Sequence, residues 1–152
     1  MLRRTARVVL WQRYDRVADA AMNDCDLSTL RGILARRGRF GHSEHLEVAW
    51  SFLASHSLED ATRRTVSTIR HVAMLHGASD RYHDTITKAW VRLVAVHMSR
   101  DRSDSFDEFI AQNGGLLDPG LLERHYSSTA LRSPAARQHW IEPDVRRFPS
   151  LA

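Results

Sequence analysis

Nine histidines in a chain of 152 residues supply side chains that can bind a metal or move a proton near neutral pH. Four of them, His42, His45, His76 and His83, fall where helical spacing and chain direction bring them together. With Leu46 as zero on a wheel of 100° per residue, His42 lies at about −40° and His45 at about −100°, beside Leu53 at about −20° and Ala49 at about −60°. His42 therefore points inward and His45 sits at the edge of the same face. Glu44 and Glu47 fall opposite, at about 160° and 100°, and are expected to be solvated. His83 lies about 20° from Trp90 on the buried face of a later helix. His76 continues an apolar seam from which His71 points away. His97 reads as a buried, locally satisfied residue, whereas His56, His71, His125 and His139 read as surface or helix-end positions.

Neutral imidazoles with no inward carboxylate suit zinc, iron or copper. On this reading His42, His45 and His83 share one divalent ion, and His76 is a catalytic proton carrier or a fourth ligand. Three neutral ligands leave a position open for hydrolysis by a metal-bound water or for oxygen-dependent oxidation. Asp84 and the hydroxyls of Tyr82, Thr85 and Thr87 would orient the ligands. Arg37 and Arg39, from the cluster Arg31, Arg36, Arg37 and Arg39, would hold an anionic small-molecule substrate at the mouth, with Tyr82 and Thr87 also contacting it. Two other readings of the same residues stay open. One is an apolar pocket that uses histidine as acid or base. The other is a non-catalytic helical interaction module whose histidines are structural.

The elements that must position these residues are helices. Leu46, Ala49, Trp50 and Leu53 recur at spacings of three and four and predict a helix over 42–55. Ser57, with Asp60 three residues on, opens a second helix that stops at Gly77, with the seam Leu58, Thr62, Thr65, Ile69, Val72 and His76. Asp80 caps a third, whose inward face is Tyr82, His83, Ile86, Trp90, Leu93, Val94 and His97; Trp50 and Trp90 read as core. Short helices follow after Ser105, Asp118-Pro119 and Ser133-Pro134, and the segment from Glu142 reads as an irregular tail. No stretch alternates with period two, so strands are not expected. The resulting fold class is an all-α antiparallel bundle with C-terminal short helices. In an up-down-up order, His42, His45, His76 and His83 belong to one end of it.

Composition narrows the function classes. The chain is 43% hydrophobic and 26% charged, as in an ordinary globular domain. Its longest apolar runs, Val8 to Trp11 among them, are far shorter than a membrane span. The single cysteine, Cys25, excludes an internal disulfide and a zinc site built on several thiolates. Of the net charge of +4, residues 1–22 carry +3 through Arg3, Arg4, Arg7, Arg13 and Arg16 against Asp15 and Asp19. The near-neutral remainder argues against a dedicated nucleic-acid binder. Residues 1–22 read as a basic extension or an ordinary first helix, and 23–152 as one helical domain. A cytoplasmic location is expected, and a homo-oligomer is compatible with the pattern.

The strings Phe40-Gly41-His42-Ser43-Glu44-His45-Leu46 with Ala49-Trp50, and Tyr82-His83-Asp84-Thr85-Ile86-Thr87 with Ala89-Trp90, resemble a family of small, uncharacterised bacterial all-helical proteins over about residues 38–145. More loosely, three histidines on bundle helices are similar to the DinB-like metal-binding bundles, which use a different histidine spacing and a four-helix topology. The second resemblance implies a metal and is silent on the reaction.

Overall fold

The computed structural model describes residues 22–152, and every regular element among them is helical. The expected N-terminal extension, Met22 apart, lies outside the described residues. The first element is α1 (Asp24–Arg37), a helix in addition to those predicted from the sequence. Its local signals are nevertheless strong. The Asn23 side chain caps it by accepting from the Asp26 N–H at 2.8 Å, and Gly38 ends it in the left-handed conformation at φ 69°. Leu27, Leu30, Ile33 and Leu34, at spacings of three and four, form its buried stripe.

Three further helices follow: α2 (His42–Leu53), α3 (Leu58–Leu75) and α4 (Asp84–Met98). Ser57 caps α3 through the Asp60 N–H, as its spacing predicts, and Gly77 turns the chain at φ 64°. The start of α4 differs from expectation. Ser79–Arg81 forms a 3₁₀ turn, and the cap is His83, whose Nδ1 accepts from the Ile86 N–H at 3.2 Å.

Helices α2, α3 and α4 pack on one another around Leu46, Ala49, Trp90, Leu93 and Val94. Helix α1 covers a second side of the same layer: Ile33 meets Val48, Phe52 and Ala61, and Leu30 and Leu34 meet Val72 and Leu75. This added layer explains three corrections. Glu44 and Glu47, expected to be solvated, are 2% and 3% exposed, and His71, expected outside, is buried at 6%. Each lies on a side of α2 or α3 that the α1 layer takes out of water.

The C-terminal third wraps the other side. It consists of α5 (Phe106–Gln112), 3₁₀ turns at Gly114–Leu117 and Pro119–Arg124, α6 (Ser128–Arg132) and α7 (Pro134–Gln138). Ser105, Asp118, Ser127 and Ser133 cap these segments with their side chains. Beyond them the tail is irregular yet attached. Tyr126 donates its hydroxyl hydrogen to the Ile141 carbonyl at 2.9 Å, and Thr85 donates to the His139 carbonyl at 2.8 Å. His125, expected at the surface, is buried beneath this tail and donates from Nδ1 to the Arg146 carbonyl at 2.9 Å. No helix among the described residues is long and apolar enough to cross a membrane.

Candidate functional site

One end of the bundle holds a cavity of about 620 Å³, open to solvent on one side, between α2, α3, α4 and the C-terminal turns. His42 and His45 from α2, His76 after α3 and His83 before α4 all line it, as do Tyr82 and Thr87. Chain direction therefore gathers the four histidines at one end, as the short interhelical connections require. The rest of the wall is chiefly apolar, with Ile69, Val72, Ile86, Trp90, Leu122 and Leu131. Arg81 and Glu123 also line it; both are exposed, and the spacing of neither suggested a site in the sequence.

Hydrogen bonding fixes most of these rings. A carbonyl can only accept, so His42 donates its Nε2–H to the Leu116 carbonyl at 2.8 Å and keeps a lone pair on Nδ1. Its ring also meets Trp90 edge-on, with centroids 4.4 Å apart. His76, exposed at the helix end, donates Nδ1–H to the Val72 carbonyl at 2.9 Å and keeps the Nε2 lone pair. His83 has neither nitrogen left. Its Nε2–H donates to the Leu131 carbonyl at 2.7 Å, while Nδ1 caps α4. The carbonyls of Leu116 and Leu131 come from segments 74 and 48 residues away, which no local pattern could anticipate.

His45 differs from the other three. Half-buried against the Phe40 ring at 5.0 Å, its imidazole is held in the neutral form. Burial, and to a lesser degree closeness to the His42 imidazole, pushes its pKa down to about 4. Nearby, Asp84 is buried and serves Tyr82 rather than a histidine. It accepts from the tyrosine hydroxyl at 2.8 Å and from Lys88 at 2.6 Å, while Arg70 stacks on the tyrosine ring at 4.7 Å. Burial, followed by this carboxylate, raises the Tyr82 pKa well above its ordinary value, so the phenol stays protonated.

The expected anion-binding arginines are engaged elsewhere. Arg37 does not line the cavity; it bridges Glu47 at 2.8 Å and Asp107 at 2.6 Å, tying α1 to α2 and α5. Arg36 adds a second bond to Glu47 at 2.8 Å. Arg39 reaches Glu44 at 3.4 Å and lines only a shallower hollow of about 300 Å³, which shares Phe40, Gly41 and His42 with the main cavity. Thr85 is also turned away from the histidines, toward the tail. His97, expected to be buried and locally satisfied, is half-buried and bonded to Asn113 Oδ1, 16 residues away, at 2.7 Å.

Among the described residues, no three His, Cys, Asp or Glu side chains stand together in a metal-ligand arrangement. No protein-family model, curated protein or solved structure matches this chain.

Proposed function

We propose that this chain binds a compact, largely apolar small molecule in the histidine-lined chamber. The observation that carries the reading is the chamber itself: about 620 Å³, walled by three helices, with a few polar groups set into an apolar lining. Small-molecule sites have this size and this composition, roughly 300–1,000 Å³ with a small number of orienting polar groups. His45, neutral over the physiological range, supports binding by hydrogen bond rather than by charge. His76 is the candidate acid–base group, because it is exposed and retains a lone pair on Nε2.

Calorimetric titration with uncharged molecules of about six to ten heavy atoms tests this reading. Wild type should bind members of the set at micromolar to millimolar Kd, and Ala73→Phe, which places a ring in the chamber wall, should abolish binding while the fold is retained. Binding by none of the set, or equal binding by Ala73→Phe, would contradict the reading and favour a helical interaction module with structural histidines.

A second reading keeps a zinc, iron or copper ion at the same place. It is favoured by the way His42 and His76 each anchor one ring N–H on a backbone carbonyl, an arrangement common in metal-bound histidines. His42 and His76 are the rings left to hold it, with His83 excluded because both of its nitrogens are committed; as they stand they form no three-ligand group with His45, so an ion would have to draw these rings together. When bound, the ion would supply Lewis acidity. Metal analysis of the protein after loading tests this reading. Retained metal that is lost in His42→Ala and His76→Ala supports it, and no retention removes it.

A further inference from the structure

A buried tyrosine or tryptophan ordinarily gives its one polar hydrogen to an acceptor in the protein. Tyr82 donates to Asp84, Tyr126 to the Ile141 carbonyl at 2.9 Å and Trp140 to Glu142 at 2.9 Å. Trp90 departs from this pattern. Although only 6% exposed, it has no acceptor for its indole N–H among the described residues. Nor is the nitrogen shut in packed core: it keeps some accessible surface, and the open space that Trp90 lines is the chamber. The Trp90 ring stands 4.4 Å from that of His42, on the wall where α2 begins. There the first amide hydrogens of α2, on His42, Ser43 and Glu44, also lack an acceptor, because Gly41 at the cap position has no side chain to supply one.

An unpaired hydrogen on a side chain this deeply buried is costly unless an acceptor from outside the protein meets it. The charge nearby fixes the kind of acceptor. Glu44 holds its buried carboxylate against the Gly41 N–H at 2.7 Å, and Arg39 is already spent on that carboxylate at 3.4 Å. A ligand carboxylate brought to this wall would stand beside Glu44 and be repelled, whereas an uncharged oxygen meets the same hydrogens without repulsion. Exposed Arg81 and exposed Glu123, which also line the chamber, cancel in sign. We propose, building on the ligand-chamber reading above, that the chamber takes an apolar compound with an uncharged carbonyl oxygen, and that this oxygen accepts from the Trp90 N–H. The chemical class is an aryl or alicyclic ketone, ester or amide.

Acetophenone and α-methylstyrene test the proposal, because they share one skeleton and only acetophenone carries an oxygen, in place of a CH₂ group. Calorimetry on the full chain gives the ratio of their affinities, and that ratio should fall about tenfold in Trp90→Phe, as expected for one lost hydrogen bond. In ¹H–¹⁵N spectra of the wild type, acetophenone should move the Trp90 indole signal further downfield than α-methylstyrene does. Benzoate should bind more weakly than acetophenone. A ratio unchanged in Trp90→Phe overturns the assignment, as does a ratio that falls in Arg81→Leu instead. If Trp90→Phe does not fold, the wild-type indole signal decides, and equal shifts with the two probes overturn the proposal. Tighter binding of benzoate than of acetophenone overturns the uncharged class and leaves the ligand chamber standing. Binding of no probe, together with none of the wider uncharged set, removes the chamber reading and this inference with it.

Discussion

Helix α2 carries polar residues toward two sides of the bundle, and the two sides are built on opposite plans. On the α1 side, Glu44 and Glu47 are almost fully buried, and arginines from the α1 segment meet both carboxylates. On the chamber side, His42 and His45 are only half-buried, and no charged partner faces them at ion-pair distance. The first side is closed: its charge is matched and its geometry ties α1, α2 and α5 together. The second keeps bonding capacity in reserve beside a cavity. Polar residues in a core hold a fold when their capacity is filled, and they mark a site when it is left over.

The sharpest way to break this contrast is to open the closed side. Glu47→Ala takes the buried carboxylate from Arg36 and Arg37, which both still reach water while Arg37 keeps Asp107, so the cost is that of the lost charge-assisted hydrogen bonds, about 2 to 3 kcal/mol. Urea denaturation should show that loss, with chamber ligands still binding the folded fraction. A loss below about 1 kcal/mol would mean that the ion pairs are incidental surface contacts.

On the chamber side, pH provides a matching test through His45. An unfolded histidine titrates near 6.5, whereas folded His45 titrates at about 4, so between those values the unfolded chain takes up a proton that the folded chain refuses. The stabilisation from neutral His45 is thus complete above about pH 6.5, declines as pH falls, and is lost below about pH 4. Its ceiling is about 3 kcal/mol. Stability measured from pH 7 to pH 4 should fall less steeply in His45→Phe than in wild type. Identical slopes would show that His45 is hydrated and ordinary.

A smaller effect separates His83 from its neighbours. His83→Ala removes both the α4 cap and the bond to the Leu131 carbonyl, for a loss of about 2 kcal/mol. His83→Asn retains a capping side chain and should recover about half of it. If asparagine recovers nothing, the cap is not what His83 contributes.

Much of this arrangement was legible in the sequence where the signals are local. Ser57 with Asp60, Gly77 and Ser105 with Glu108 mark real helix ends, and the short connections they bound bring four histidines to one cavity. Helix α1 was not read, because Arg31, Arg36 and Arg37 obscure its narrow leucine stripe; that one omission turned Glu44, Glu47 and His71 outward. His83 was assigned as a ligand because periodicity reports which way a ring faces, not what it bonds. Its partner, the Leu131 carbonyl, arrives through a C-terminal segment folding back, a contact that depends on the whole tertiary structure.

The central claim is that backbone carbonyls fix the His42, His76 and His83 rings and leave a lone pair in reserve on the first two. Two-bond ¹⁵N–¹H correlation spectra of the imidazoles near pH 7, recorded with and without acetophenone, test it most directly. The account predicts that His42 and His83 are protonated on Nε2 and His76 on Nδ1, and that acetophenone perturbs His42, His45 or His76 while leaving His97 and His125 unchanged. Averaged tautomers on His42 and His83, or acetophenone shifts spread evenly over all nine histidines, would contradict it.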